Sequence, residues 1–228
     1  MDLEDYRPAP HVLQALTQVD FVAVVGPTAV GKTTLIKAAV ARDPRVHMLV
    51  AGTSRAPRPG EQDGVDFHYD TPQHMLARAQ QGGYVTLISG VSGDLYTTAP
   101  EDYPAGKTVL LATLSSVVTD FRKLPYKQFR TIFILPPNYE TWQQRLAQHG
   151  FDAGQLQRRL SEAGESLAFG LADTSAYFVI NDELDTAIDD FTALVLGQET
   201  PARTQENQRR ARLLATDLLA KIRAKTAK

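Results

Sequence analysis

A stretch of eight residues limits what this chain can fold into more than any other feature. Residues 26–33 read GPTAVGKT and fit G-x-x-x-x-G-K-[ST], a glycine-rich turn whose backbone N–H groups surround a phosphate group. The pattern requires a strand before the turn and a helix after it. Residues 21–25, FVAVV, predict a buried strand, and residues 34–41 predict a helix that stops near Asp43 and Pro44. The sequence therefore predicts an α/β fold organised around a phosphate-binding loop.

Each part of this loop has an expected task. Gly26 and Gly31 allow the backbone to turn its N–H groups inward, and the helix start adds the positive end of a dipole. Lys32 is expected to reach the β- and γ-phosphates of a nucleotide, and Thr33 is expected to hold Mg²⁺. The predicted nucleotide-binding residues in this part of the chain are Gly26, Pro27, Thr28, Ala29, Val30, Gly31, Lys32, Thr33 and Thr34.

Composition narrows the class of protein. The chain has 228 residues, of which 43% are hydrophobic and 22% are charged, as in ordinary globular proteins. No apolar run is long enough to cross a membrane, and the acidic N-terminus lacks the layout of a signal peptide. The absence of cysteine excludes disulfides and thiolate metal sites. These features predict a cytoplasmic enzyme that does not associate with a membrane.

The rest of the chain alternates strands and helices. Strands are predicted at 46–50, 84–88, 109–114, 131–135 and 177–180, and helices at 71–81, from 138 to about 149, at 155–169 and at 184–196. Residues 52–69 and 91–104 are predicted to be loop or irregular. Such alternation predicts a parallel sheet flanked by helices on both faces.

Several motifs outside the loop resemble the guanylate kinase family. Residues 54–61 (SRAPRPGE) and 63–67 (DGVDF) resemble its acceptor-binding loop, residues 179–185 (VINDELD) its adenine-side ending, and Pro136-Pro137 with 144–146 (QRL) the entry to its lid. The resemblance covers about 20–196. It implies a P-loop kinase core with a small acceptor-binding insertion at about 52–104 and a lid at about 138–170. This domain lies between a leader, 1–19, and a basic helical extension, 197–228.

The resemblance implies an ATP-dependent nucleoside monophosphate kinase that uses Mg²⁺ and moves the γ-phosphate of ATP to GMP or a related phosphomonoester. The implied catalytic residues are Lys32, Arg55, Arg145 and Arg159, and Asn181 joins the ATP-binding set. Arg55, Arg58 and Tyr96 correspond to residues that hold the acceptor phosphate. Phe67 stands where the family has a second tyrosine, and His149 stands where it has another lid arginine.

The residues that read the base depart from the family's pattern. Thr86 replaces a carboxylate, Ala51 a serine and Leu114 an acidic residue, whereas Thr98 keeps a hydroxyl. A shift of one residue in the alignment would let Asp94 supply a carboxylate instead. The expected acceptor-binding residues are Arg55, Arg58, Phe67, Thr86, Tyr96 and Thr98. We expect weak discrimination between GMP and other monophosphates, because a site without the matching partners cannot reject other bases strongly.

Two alternatives to a guanylate kinase stay open at this point. The first is a kinase of the same fold with an acceptor that does not contain guanine. The second is a nucleotide-binding or scaffold module without catalytic activity. The intact Lys32 and Thr33 favour an enzyme, since such scaffold domains typically have degraded phosphate loops.

The C-terminal segment is the basic part of an acidic chain. Residues 198–228 contain eight lysines and arginines and three acidic residues, whereas the whole chain has a net charge of −2. Leu214, Leu218 and Ile222 recur every four residues, which predicts an amphipathic helix with a basic face. We expect this helix to pack on the domain or to pair with a second copy in a homodimer. Binding to nucleic acid or another anionic surface is the less favoured alternative.

Overall fold

The computed structural model describes residues 3–90 and 92–226. The chain divides into two compact units. The first unit comprises the described residues up to Phe21, together with His47–Leu111 and Asp120–Gln128. The second unit comprises Val22–Val46, Ala112–Thr119 and the described residues from Phe129 onward.

Strands and helices alternate along most of the described chain, as the sequence predicts. The strands are β1 (Asp20–Val25), β2 (Val46–Met48), β3 (Gly52–Thr53), β4 (His68–Tyr69), β5 (Thr86–Ser89), β6 (Leu95–Thr98), β7 (Thr108–Ala112), β8 (Gln128–Leu135) and β9 (Tyr177–Ile180). The α-helices are α1 (Pro10–Gln14), α2 (Lys32–Arg42), α3 (Pro72–Gln80), α4 (Val118–Arg122), α5 (Tyr139–Ala147), α6 (Ala153–Ala172), α7 (Leu184–Val195) and α8 (Gln205–Thr226).

Two sheets organise these elements. A five-stranded sheet has the order β2-β7-β1-β8-β9, in which β8 and β9 run parallel with Ile132 opposite Tyr177. Residues 21–25 of β1 and 131–135 of β8 are buried and almost entirely apolar, because in a parallel sheet helices cover both faces. The α/β fold with a parallel sheet and flanking helices is therefore confirmed.

A second sheet of four strands has the order β4-β3-β6-β5. In it β6 runs antiparallel to both β3 and β5. The sequence-based prediction was wrong here, since 52–69 and 91–104 were expected to be loop or irregular. The strands β3 and β4 have two residues each, too few to show an alternation of apolar and polar side chains. They are recognisable as strands only through their distant partners.

Two predicted helix starts are confirmed by their capping hydrogen bonds. The hydroxyl of Thr71 accepts from the His74 N–H at 3.2 Å before α3, and the amide oxygen of Asn138 accepts from the Thr141 N–H at 2.7 Å before α5. These side chains satisfy N–H groups that the first helical turn leaves without a partner. They fix where α3 and α5 begin.

The C-terminal helix α8 packs along α6 within the second unit. Ala211, Ala215, Leu218 and Ile222 are buried on one side of α8, whereas Leu213 is 63% exposed. Near its start, the amide of Gln208 bonds both the N–H and the carbonyl of Phe178 in β9. The helix therefore covers part of the second unit. None of the described helices combines the length and apolar character needed to span a membrane.

Candidate active site

The loop at residues 26–33 adopts the backbone conformation that its glycines predict. Gly26 has a φ of +139° and Gly31 a φ of +92°, a region that side chains disfavour. A Cβ atom on Gly26 would lie 2.4 Å from the carbonyl oxygen of Ile134 in β8. The loop can approach the sheet this closely only because residue 26 is glycine.

The ammonium group of Lys32 lies inside the loop. Its Nζ donates to the carbonyl oxygens of Gly26 at 2.7 Å and Pro27 at 2.8 Å. Burial in the first place, and the positive charge of Arg159 in the second, lower the pKa of Lys32 to about 8. Burial and a nearby cation both disfavour the ammonium form, and an anion placed beside Lys32 would offset these two effects and favour that form.

Two side chains from outside the loop hold its backbone. The indole Nε1 of Trp142 in α5 donates to the carbonyl of Thr28 at 2.8 Å. The amide nitrogen of Asn181, which is 6% exposed, donates to the carbonyl of Val30 at 2.8 Å. Sequence reasoning assigned Asn181 to ATP, and the structure adds this contact with the loop itself. The sequence alone does not identify Trp142 as a contact of the loop, since nothing in it marks the partner of the indole.

The two predicted lid arginines have different surroundings. Both terminal nitrogens of Arg145 donate to the carbonyl oxygen of Asn181 at 3.2 Å. Arg159 on α6 donates to Glu162 at 2.7 Å, and its charge acts on Lys32. The structure therefore brings Arg159 into the electrostatic surroundings of the loop. It fixes Arg145 to the end of β9.

His149, which replaces a lid arginine expected from the family, lies in the turn after α5. Its ring stacks on Phe151 with the centroids 5.4 Å apart. The ring of Phe151 also lies under the guanidinium of Arg159, 5.7 Å from its Cζ atom. An aromatic pair thus stands next to Arg159 in place of a further cation.

The predicted acceptor loop lies in the first unit and is built around an ion pair. The guanidinium of Arg55 donates through both terminal nitrogens to the two carboxylate oxygens of Glu61, each at 2.7 Å. This pairing raises the pKa of Arg55 and lowers that of Glu61 to about 2. The hydroxyl of Tyr69 also donates to Glu61, at 2.8 Å. Glu61 and Tyr69 were missed from the sequence, although Glu61 ends the motif that contains Arg55.

Aromatic rings and a second arginine surround this ion pair. The Arg55 guanidinium lies 4.8 Å from the centre of the Phe67 ring, and the edge of that ring meets Tyr96 at 6.1 Å. The Arg58 N–H donates to Glu61 at 2.8 Å, while the residue itself is exposed. The structure thus brings Arg55, Phe67 and Tyr96 together and leaves the Arg58 side chain facing solvent.

The residues predicted to meet the base form a chain of hydroxyl groups. The Oγ1 atoms of Thr86 and Thr98 are 2.9 Å apart, and the hydroxyl of Tyr103 donates to Thr98 at 2.9 Å. Asp94, the alternative carboxylate, accepts a hydrogen bond from the hydroxyl of Ser92. Leu114 lies in the second unit and is 62% exposed. The two threonines are therefore the predicted base-reading residues that the structure joins directly.

The residues near the loop are compatible with a metal ion held mainly by its nucleotide. Thr33 is exposed on the first turn of α2, directly after Lys32. Among the described residues, no group of three histidine, cysteine or acidic side chains could hold a metal ion. A hydroxyl oxygen is a suitable ligand for Mg²⁺, which keeps several waters and binds phosphate oxygens. Thr33 and the phosphates thus form a fitting set of ligands.

Comparison with known proteins agrees with the motifs. The family model for guanylate kinase matches residues 18–197. A protein of Thiobacillus denitrificans described as guanylate kinase is 32% identical over 186 residues, which are 80% of this chain and 88% of the relative. One from Symbiobacterium thermophilum with the same description is 31% identical over 194 residues, covering 82% of this chain and 88% of the relative.

The fold has a counterpart among solved structures. The crystal structure of guanylate kinase from Anaplasma phagocytophilum superposes with a TM-score of 0.59 at 19% sequence identity. The match covers 84% of this chain and 92% of that one. At this level of identity, the similarity shows a shared fold.

Proposed function

The chain belongs to the guanylate kinase family, and from that premise we propose how its own residues carry out phosphoryl transfer from ATP to a nucleoside monophosphate. It is an ATP-dependent nucleoside monophosphate kinase, and GMP is the acceptor that the family name implies. The observation that carries the proposal is the position of Lys32, whose ammonium group lies inside a glycine-rich loop at the start of α2. Such a loop is suited to a nucleotide's phosphates.

The second unit holds the donor in this proposal. Backbone N–H groups of residues 26–33 surround the phosphates of ATP, and Lys32 offsets charge on the β- and γ-oxygens. Thr33 would hold Mg²⁺, which neutralises phosphate charge when it is bound. Thr34 follows in the same turn of α2, and Asn181 keeps the loop in shape through its bond to Val30.

The first unit holds the acceptor. Arg55 binds the acceptor phosphate with a guanidinium that Glu61 already fixes in a single orientation. Arg58 contributes a second, more exposed cation, and Tyr96 a hydroxyl. Phe67 has no hydroxyl to donate to that phosphate. The hydroxyl of Tyr69 donates to Glu61 instead and so helps to fix the ion pair. Orientation matters here because this reaction depends on positioning and charge stabilisation.

Arg159 stabilises the transferring phosphoryl group. Its influence on the pKa of Lys32 supports this role, since a cation that acts on Lys32 also acts on phosphates bound there. Arg145, by contrast, is a positioning residue in this proposal. It holds the carbonyl of Asn181, and Asn181 in turn holds the loop.

The alternative of a scaffold module that binds no nucleotide is disfavoured by these same contacts. Trp142 and Asn181 both serve to hold the backbone of the loop in its phosphate-binding shape. A domain that only binds a partner would not depend on that shape.

We place the reaction in the cytoplasm, where the family's nucleotide substrates are found.

A coupled assay of ADP formation with ATP, Mg²⁺ and GMP tests the proposal. Lys32→Met should lower turnover by at least about a hundredfold, because one charged group is removed from the transition state. Lys37→Met is the matched control, since Lys37 is an exposed lysine of the same helix. Turnover that is unchanged in Lys32→Met, or absent from the wild-type protein with every monophosphate, would refute the proposed function.

A further inference from the structure

One face of the four-stranded sheet in the first unit joins the two ends of the acceptor site. Thr53 lies opposite Tyr96, and Thr86 lies opposite Thr98. Side chains two residues apart on a strand share a face, so Tyr96 and Thr98 point the same way. Tyr96 meets the Phe67 ring that supports Arg55. Thr98 lies about 7 Å further along the strand than Tyr96, on the side away from the Arg55 end of this face.

Three hydroxyl groups at the far end of this face form a chain, the hydroxyl relay (Thr86, Thr98 and Tyr103). Each link is 2.9 Å long. Thr98 and Tyr103 are each 3% exposed, so their protons must be donated inside the protein. Burial raises the pKa of Tyr103, which therefore keeps its proton.

The chemistry of the hydroxyls gives the relay a direction. A phenol is a better donor and a poorer acceptor than an aliphatic hydroxyl, so Tyr103 donates to Thr98. Thr98 then has one proton left, and within the described chain Thr86 is the neighbouring hydroxyl that can accept it. The proton of Thr86 is consequently free to point out of the sheet. Thr86 presents a hydrogen-bond donor to whatever base lies on this face.

The polarity of this donor distinguishes the purine bases. The N1–H and 2-amino groups of guanine are both donors, and a carboxylate can accept from both of them. The Thr86 hydroxyl has one lone pair left after it accepts from Thr98, so it can accept from only one of the two. Adenine has an unprotonated N1, an acceptor, at the same place on its ring. On the basis of the proposed kinase function, we infer that Thr86 donates a hydrogen bond to the base and that AMP is a phosphoryl acceptor alongside GMP.

The first test compares AMP and GMP as acceptors for the wild-type protein. The inference expects kcat/KM values within about a hundredfold of each other, whereas a site built to bond one base rejects another by about 10⁴–10⁵. A GMP preference above a hundredfold would overturn the inference and leave the kinase function intact. If no monophosphate is turned over, the kinase function fails. In that case the dissociation constants of AMP and GMP, measured by calorimetry, test the inference about the base. A GMP preference above a hundredfold in these constants would overturn it.

Variants of the relay identify the group that acts. Thr86→Val keeps the shape and removes the hydroxyl, so kcat/KM for AMP should fall about tenfold while that for GMP stays within about threefold. Thr86→Glu supplies an acceptor and should move the preference towards GMP by about a hundredfold or more. Equal effects of Thr86→Val on both acceptors would overturn the inference.

A control and a more distant variant separate base recognition from folding. Thr97→Val removes a buried hydroxyl from the opposite face of β6 and should leave the AMP-to-GMP ratio unchanged. Tyr103→Phe removes the hydroxyl that sets the direction of the relay. It should lower the AMP-to-GMP ratio of kcat/KM by about threefold, independently of any change in Tm. An unchanged ratio in Tyr103→Phe would show that the relay does not orient Thr86.

Discussion

Arg55 and Glu61 are joined by two hydrogen bonds of 2.7 Å, which hold the guanidinium flat against the carboxylate. The hydroxyl of Tyr69 and the N–H of Arg58 donate to one of the same carboxylate oxygens. Glu61 is thus bonded from three sides and acts as the fixed point of the acceptor loop. An arginine held in this way reaches a phosphate with little loss of side-chain freedom.

Glu61→Gln should weaken acceptor binding through Arg55. The neutral amide keeps the shape but loses the charge-assisted pair, so the acceptor KM should rise about tenfold while the ATP KM changes little. Initial rates at varied GMP and varied ATP measure both constants. Asp66→Asn is the matched control, since the Asp66 carboxylate lies in the same loop and accepts from the Gln62 N–H at 2.9 Å instead of from Arg55. Equal changes in both KM values would mean that Glu61 serves the loop's structure alone.

The same ion pair should make stability depend on acid pH. The pKa of Glu61 is lowered from 4.5 to about 2 by its bonds with Arg55. Because folding lowers this pKa, the stabilisation is complete above pH 4.5 and is lost as the pH falls towards 2. Urea unfolding between these pH values should show a steeper loss of stability for the wild type than for Glu61→Gln. If the free energy of unfolding fell equally with pH in the two proteins, the ion pair would not be the source of this pH dependence.

Lys32 should take up a proton when ATP binds at alkaline pH. Because the pKa of Lys32 is about 8, its side chain is largely neutral in the free protein one pH unit above that value. Bound phosphates favour the charged form and raise this pKa. Calorimetry at pH 9 in buffers of different ionisation heat should therefore reveal uptake of close to one proton, and none at pH 6.5. Lys32→Arg stays charged throughout and should show no uptake at either pH.

The geometry of the candidate site was predictable from sequence where a local pattern determines it. The loop at 26–33 could be assigned because its glycines and Lys32 act through their own backbone and neighbours. The contact of Trp142 with the loop could not be predicted, because its partner Thr28 is distant in the chain and tryptophan is an ordinary core residue. Glu61 lay within a recognised motif, but the sequence does not reveal that its carboxylate faces Arg55 rather than solvent.

The fold shows the same division. Long strands such as β8 and helices with capping residues such as α3 were predictable, because each contains enough residues to show a period or an end signal. The two-residue strands β3 and β4 exist only because β6 provides hydrogen bonds to the first of them. The periodic leucines predicted α8 as a helix, but its buried side includes Ala211 and Ala215, which only the contact with α6 identifies.

The bond between Trp142 and Thr28 should matter for the donor and not for the acceptor. Trp142→Phe keeps most of the buried ring and removes the Nε1 donor, which leaves the Thr28 carbonyl without this partner. We expect the ATP KM to rise about threefold to tenfold with an unchanged acceptor KM. Trp142→Phe kinetics and a melting curve would be measured together. A lower Tm with unchanged kinetics would show that the bond serves only the core.

Arg212 should stabilise the second unit through its contacts with the end of α6. Its guanidinium donates to the carbonyls of Gly170, Leu171, Asp173 and Ala176 at 3.0 to 3.4 Å, and it lies 4.7 Å from the centre of the Phe178 ring. Arg212→Met keeps the aliphatic stem but removes every donor from these carbonyls. We expect a loss of about 1–3 kcal/mol, and for a chain of this size a fall in Tm of about 2–4 °C per kcal/mol.

Arg209→Met provides the control, because Arg209 is an exposed arginine one turn earlier on α8. If α8 instead served to bind a polyanion or a second copy of the chain, both arginines would contribute to that contact. Light scattering and a salt titration with DNA would then change for Arg209→Met and Arg212→Met alike, with little difference in Tm. The packing of Ala215, Leu218 and Ile222 within the second unit favours the stabilising role of Arg212. The apolar face of α8 is already covered, so only its basic face is left for a partner.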